Sequence, residues 1–348
     1  MALQYDTPSS RADFTAAMAA NVTLSAATQQ AIAGILGSSE TVSVASFDGT
    51  SLTGPANVQA VVANIAGEAG DKVTLNLPAD AMASASAWIF NTDADLTVAF
   101  NTVERVIASG NGNDTITVAG DKDTVLDGAN GNDTLQTSGG NDSVTGGAGD
   151  DSISTGAGND TIVSGEGNDT IDAGTGFDIV KIDGASSSFD FNVVNGSLVA
   201  TAKDGSASVT ASNAEVFSFG ATDNVMITGS ETDAQALRLY EAFFARSADI
   251  DGAKYWLNDL AEGQMATNIA RSFLASEEFQ SKGNLSDAEY IDILYQNALD
   301  RGSDTAGKAY WLNDLASGMD RADVAISIVG SVEAADVIDN VVVITGLV

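Results

Sequence analysis

The chain has 348 residues, with 48 acidic against 14 basic side chains, a formal charge of -34, and neither cysteine nor histidine. Such an excess of negative charge disfavours nucleic acid and anionic membranes, whose phosphates need clustered Lys and Arg; the missing residue types exclude disulfides, thiol and imidazole catalysis and the usual zinc ligands. Carboxylate and carbonyl oxygens remain, which are hard donors suited to Ca2+, and with 44% hydrophobic residues the chain can form cores, in two or three regions at this length.

Residues 1–11 lack a basic start followed by an apolar stretch, so no cleavable signal peptide is expected. No apolar stretch approaches the ~20 residues of a membrane span. Ser10 and Asp13 have capping-box spacing ahead of an Ala-rich stretch, and Ser25 can cap a second helix ending at Gly37, so residues 1–40 read as a helical segment. Over 41–108, β-type runs at 42–47, 73–77, 88–90 and 96–100 are broken by Asp, Asn, Gly and Pro. They predict an irregular β layer that caps or extends the repetitive stretch beginning at residue 109, with helix left open over 57–65.

Across 110–181 a nine-residue phrase occurs eight times, each copy carrying an aspartate and, two positions later, an aliphatic residue. The aspartates are Asp114, Asp123, Asp133, Asp142, Asp151, Asp160, Asp169 and Asp178; the aliphatics are Ile116, Val125, Leu135, Val144, Ile153, Ile162, Ile171 and Val180. One extra residue, placed near Asp127, interrupts the phase. Gly/Asp/Asn/Ser composition alone would suit a flexible linker, but linkers do not hold such a phase through eight copies. Glycines early in each copy (Gly147, Gly149, Gly156, Gly158, Gly165, Gly167, Gly174 and Gly176 in the later ones) permit positive φ and turn carbonyls inward, and the triplet after the aspartate forms a short strand.

Two copies make one coil turn, so loops 18 residues apart stack at ~4.8 Å. One column of aspartates then holds Asp114, Asp133, Asp151 and Asp169, the other Asp123, Asp142, Asp160 and Asp178. Carboxylates that close repel by roughly 3 kcal/mol per pair at an effective dielectric near ~20, and Ca2+ between loops reverses the sign by taking six to eight oxygens. Six inter-loop positions are the upper expectation, so about four to six ions, the firmest positions being Asp133/Asp151, Asp151/Asp169, Asp142/Asp160 and Asp160/Asp178.

Beyond the block, Asn195-Gly196 and Asp204-Gly205 between alternating runs predict hairpins, an antiparallel sheet over 182–229 that covers the open end of the coil. From 230 the texture is helical and duplicated: Tyr240, Arg246, Asp249, Gly252, the run 255–261, Gly263 and Ser276 recur 55 positions later as Tyr295, Arg301, Asp304, Gly307, 310–316, Gly318 and Ser331. The modules are 230–283 and 284–348. Trp256 and Trp311 could stack on sugar rings, but a Tyr-Trp pair at helical spacing is more often core.

The block resembles the RTX (repeats-in-toxin) nonapeptide, GGxGxDxUx, best matched by Gly146-Gly147-Ala148-Gly149-Asp150-Asp151-Ser152-Ile153-Ser154. The resemblance implies a right-handed parallel β-roll over 109–181, calcium-dependent folding, and export by the type I secretion apparatus of Gram-negative bacteria through an uncleaved C-terminal signal. Residues 336–348, acidic and then apolar, look like such a signal; a closing strand or helix end of the last module is the other reading. The helical modules resemble domain of unknown function 4214, which occurs at the ends of secreted RTX and surface proteins; the second departs where Phe279 is replaced by Ala334. The expected fold is therefore mainly β, a calcium-bound roll flanked by irregular β caps, with an N-terminal helical segment and a C-terminal all-α region.

Catalysis is not expected: HExxH and a Ser-His-Asp triad need histidine, and no G-x-S-x-G occurs. The favoured reading is a secreted structural protein of the cell surface, an S-layer-like lattice or matrix component that self-associates and whose N-terminal segment anchors to surface polysaccharide. The alternative is an RTX adhesin or polysaccharide-binding matrix protein.

Overall fold

The computed structural model describes residues 9–19, 24–36, 40–55, 57–101, 105–220 and 222–344. Gly37, named above as a helix end, and the last four residues of the proposed signal lie outside these. Two compact units separate, one of residues 1–183 and 187–214, the other of 184–186 and 215–348.

The first unit is a β-solenoid of about seven turns, built from two parallel sheets. One runs Val44–Phe47, Ala60–Asn64, Ala87–Asn91, Arg105–Ala108, Thr124–Asp127, Ser143–Ala148, Thr161–Glu166 and Ile179–Lys181. The other runs Lys72–Leu75, Asp95–Phe100, Thr115–Val118, Thr134–Gln136, Ser152–Ser154 and Asn168–Asp172. The layer expected to be irregular is thus regular parallel coil that extends the roll, and the undecided segment 57–65 supplies the strand Ala60–Asn64. A short helix at Ala79–Ser84 was not foreseen.

Alternation in these N-terminal coils divides the side chains between two cores. Phe47, Trp88, Phe90 and Phe100 meet inside the coil, with ring centroids 5.7 to 6.3 Å apart. Val44, Ala60, Val62, Ala87, Ile89, Val106 and Ala108 face outward and are covered by Phe14, Met18 and Ile32 from the helices Arg11–Ala19 and Ala26–Ile35 and by Leu36, the C-cap of the second. Both expected caps form: Ser10 Oγ accepts from Asp13 N (3.1 Å) and Ser25 Oγ from Thr28 N (3.1 Å). The buried Asp127 carboxylate pins the second helix, accepting from Ser25 N at 3.1 Å and Thr28 Oγ1 at 2.6 Å; a carboxylate there also meets the positive end of the helix dipole.

At the far end, Phe189–Val194 and Ser197–Ala202 form the hairpin foreseen at Asn195-Gly196, both of whose φ values are positive. Ser208–Ser212 then pairs antiparallel with Ser197–Ala202 and parallel with Asn168–Asp172, so the hairpin covers that sheet's edge.

The second unit contains eight helices among the described residues, Glu231–Phe244, Ile250–Ala261, Ala266–Ala275 and Glu277–Gln280, then Asp287–Leu299, Thr305–Ala316, Arg321–Val329 and Val332–Val337. Duplication is visible contact by contact. Arg246 pairs with Asp249 and Glu278, and Arg301 with Asp304 and Glu333. Each guanidinium lies 5.0 Å from a tyrosine ring centroid, Tyr240 or Tyr295. Gly252 allows a close approach here, since a Cβ would sit 2.2 Å from Tyr240 Oη; at Gly307 it would sit 2.5 Å from Tyr295 Oη. Three strands complete the unit: Val341–Val343 pairs parallel with Asn224–Thr228, which pairs antiparallel with Val216–Ser218. Part of the proposed export signal is therefore a strand, as its other reading had it.

Candidate metal centre

In the nonapeptide coils seven inward aliphatics are fully buried where expected: Ile116, Leu135, Val144, Ile153, Ile162, Ile171 and Val180. The second copy differs. Leu126, not Val125, is buried inside and pairs with Ile107 and Val144; Val125 faces out against the helix-covered core. Its neighbours on either side are spaced by 19 residues below (Thr124 over Arg105) and 18 above (Val125 under Ser143). The extra residue consequently lies ahead of Asp123, not near Asp127. Thr124 is buried in the column while Asp123 is exposed. The aspartate columns are Asp114, Asp133, Asp151, Asp169 and, opposite, Asp142, Asp160, Asp178 above Thr124, so the expected Asp123/Asp142 position is lost.

All seven remaining aspartates are at most 2% exposed. In each column the Oδ1 of one aspartate accepts from a backbone N–H one coil earlier: Asp133 from Asp114 N (2.8 Å), Asp151 from Asp133 N (2.8 Å), Asp169 from Asp151 N (3.0 Å), Asp142 from Thr124 N (2.7 Å), Asp160 from Asp142 N (2.7 Å) and Asp178 from Asp160 N (2.7 Å). The residues just before them run the opposite way. Asn113, Asn132 and Asp150 accept through Oδ1 from the backbone N of Asn132, Asp150 and Asn168, and Asp123, Asn141 and Asn159 from Asn141, Asn159 and Phe177. Each Asn-Asp pair thus clamps the coil before and the coil after. This outer ladder was not singled out from sequence, although an Asn or Asp before nearly every repeat aspartate signals it.

The second carboxylate oxygens are the decisive feature. Oδ2 of Asp133, Asp142, Asp151, Asp160 and Asp169 is buried with no hydrogen-bond partner, a state costing on the order of 1–3 kcal/mol per group, and more when it is charged. Asp114 is different: its Oδ1 accepts from Leu96 N (2.7 Å) and its Oδ2 from Gly110 N (3.1 Å). Burial pushes these carboxyls up, Asp133 to about 8, Asp169 to about 7, and Asp114, Asp142 and Asp151 to about 6; Asp160 rises for the same reason.

Backbone oxygens share the space. A Cβ placed on Gly146 would lie 2.4 Å from both Asp151 Oδ2 and Ser164 O, and one on Gly128 would lie 2.4 Å from Asp133 Oδ2 and 2.5 Å from Gly146 O. The eight glycines named from sequence, Gly147, Gly149, Gly156, Gly158, Gly165, Gly167, Gly174 and Gly176, all have positive φ. At Gly158 (φ 140°) a Cβ would be 1.7 Å from Gly140 O, so nothing larger lets the coils stack. Among the described residues no three carboxylates converge to hold an ion alone; any ion here must combine one or two aspartates with carbonyls. An oxygen-only set of buried, uncompensated carboxylates and turned carbonyls fits Ca2+.

A family model described as RTX calcium-binding nonapeptide repeat (4 copies) matches residues 127–162 and 145–180. The chain carries RTX calcium-binding repeats. The two copies nearest the N-terminal coils, outside that match, are those where Thr124 replaces an aspartate and Asp114 has both oxygens bonded. A second model, Domain of unknown function (DUF4214), matches residues 270–337, which begins inside the first helical module and runs through most of the second. No curated protein and no solved structure matches.

The helical modules correct one expectation. Tyr255 and Tyr310 are 58% and 59% exposed, hence not core, while Trp256 and Trp311 are half-buried; Trp256 packs 5.5 Å from Phe273, and Trp311 Nε1 donates to Tyr295 Oη at 3.2 Å. No described helix is long and apolar enough to cross a membrane.

Proposed function

We propose that this is a secreted, non-catalytic structural protein of the bacterial cell surface, exported by a type I system, whose RTX roll folds on calcium and whose folded form self-associates as an S-layer-like lattice or matrix component. The observation that carries the calcium step is the set of buried aspartate Oδ2 atoms without partners. Four inter-coil positions are the expected complement, between Asp133 and Asp151, Asp151 and Asp169, Asp142 and Asp160, and Asp160 and Asp178. A bound ion would supply there the positive charge that lets the carboxylates remain ionised in a buried column.

The chain's residues do the rest. Glycines at positive φ turn carbonyls toward the column, the Asn ladder fixes coil spacing, and one aliphatic side chain per copy fills the centre. That is a thin core, so metal-binding energy becomes folding energy; where free calcium is scarce, as before export, the repeats stay open. Assembly is supported by the acidic, cysteine-free composition and by the RTX and DUF4214 resemblance. Electron microscopy and light scattering of the purified protein in millimolar calcium test it: ordered arrays or growing particles are expected, and monodisperse monomers would reject the lattice.

A further inference from the structure

The two aspartate columns differ at the first residue of each copy, five places before its aspartate. Beside Asp133 and Asp151 that residue is Gly128 or Gly146; beside Asp142 and Asp160 it is Thr137 or Thr155. On the glycine side the place borders two acceptors, the Oδ2 of its own copy and the carbonyl of the first residue one coil later. A Cβ on Gly146 would lie 2.4 Å from both Asp151 Oδ2 and Ser164 O, and one on Gly128 2.4 Å from Asp133 Oδ2 and 2.5 Å from Gly146 O. Glycine leaves only a hydrogen there.

The threonines bring a donor to the equivalent place. Thr137 Oγ1 lies 3.0 Å from Thr155 O, and Thr155 Oγ1 lies 2.7 Å from Ala173 O. A carbonyl has no proton to give, so in each pair the hydroxyl donates. Each hydroxyl also faces the carboxylate of its own copy, Thr137 that of Asp142 and Thr155 that of Asp160. Its single proton is committed to the carbonyl, and the aspartate Oδ2 stays without a bond. Thr137 and Thr155 are 3% and 0% exposed, beyond the reach of solvent, and a buried donor that loses its acceptor is unfavourable. Calcium needs oxygens with bare lone pairs. The glycine side offers them, whereas on the threonine side the hydroxyl proton must first be turned away. Ser109 closes the lowest position of the glycine column in the same manner, donating to Gly128 O at 2.6 Å, where both oxygens of Asp114 are already bonded.

We infer that Thr137 and Thr155 grade the ladder into two classes of calcium position. Asp133/Asp151 and Asp151/Asp169, with glycine at the first place, fill first; Asp142/Asp160 and Asp160/Asp178, with threonine, fill at a concentration about tenfold higher or more. The roll then closes one column at a time. This rests on the calcium reading proposed above and adds to it the residues that set affinity. Equilibrium dialysis of the full chain against radioactive calcium counts the ions in each class, and two tight and two weaker ions are expected. Asp151→Asn should remove the tight pair and Asp160→Asn the weaker pair. The joint variant Thr137→Gly, Thr155→Gly should bind the weaker pair at least about threefold more tightly, whereas threonines with a packing role alone would, when lost, weaken it. Gly146→Ser should move one ion, that of Asp151/Asp169, from the tight class to the weaker one. Four ions in a single class, a tight pair that survives Asp151→Asn, or weaker binding in the joint threonine variant would overturn the inference and leave the calcium reading standing. No bound ion at millimolar calcium would remove both.

Discussion

The two halves of the solenoid share one backbone plan and fill their centres in opposite ways. The N-terminal coils bury Phe47, Trp88, Phe90 and Phe100 inside and place a second apolar layer under two helices. The nonapeptide coils bury one aliphatic side chain per copy beside columns of carboxylates, among which the second oxygens of Asp133, Asp142, Asp151, Asp160 and Asp169 lack partners. The first half is an ordinary hydrophobic fold; on the proposed reading the second is completed by calcium from solution. The boundary falls at Thr124, where a hydroxyl takes the place of the carboxylate in the column.

Breaking the nonapeptide half at one of its tightest points should have the largest effect. Gly158→Ala forces a Cβ onto Gly140 O and should cost about 3 kcal/mol or more, read as a lost calcium-induced transition in circular dichroism. Asp151→Ala and Asp160→Ala each remove a group from two stacked positions. A hundredfold loss of calcium affinity at one such position costs ~2.7 kcal/mol at saturating ion, and Asp178→Ala, at the end of its column, should cost less; equal small effects in all three would contradict the stacking.

Leu126→Ala against Val125→Ala sharpens the boundary itself. The first empties a fully buried site inside the coil and should cost about 2–4 kcal/mol; the second trims an outward, partly covered residue and should cost about 1 kcal/mol, both by chemical denaturation in calcium. Asp123→Ala, removing only an exposed bond to Asn141 N, should cost ~0.5–1 kcal/mol and leave calcium affinity unchanged.

pH separates the halves as well. Five ladder carboxyls, those of Asp114, Asp133, Asp142, Asp151 and Asp169, lie above the unfolded value of ~3.9, at about 6 to about 8, and Asp160 is raised as well. The ion-free roll therefore binds more protons than the unfolded chain, is most stable below pH ~4, and loses that stability as pH rises toward ~8. In chelator the roll should gain order as pH falls from ~8 to ~5, while calcium affinity should fall over the same range because the ligating form is deprotonated. Thermal melts at the two pH values check the sign.

Much of this was legible in the sequence because glycine turns, aspartates and aliphatics recur at a fixed spacing. The register slip was not. Asp123 with Val125 and Thr124 with Leu126 both satisfy a polar residue two places before an aliphatic one, and only the strand pairing chooses between them. The N-terminal coils hid their kinship with the roll for a related reason: successive strands of one sheet begin at 44, 60, 87 and 105, so no period appears. Tyr255 and Tyr310 misled because helical spacing marks a face without saying whether anything covers it.

Peptide-resolved hydrogen exchange with and without chelator tests the central distinction most directly. Protection should collapse across 128–181 on calcium removal while 44–63 and 87–101 keep theirs. Equal protection of both halves in chelator would contradict the account, since the unpartnered carboxylate oxygens would then be tolerated without an ion.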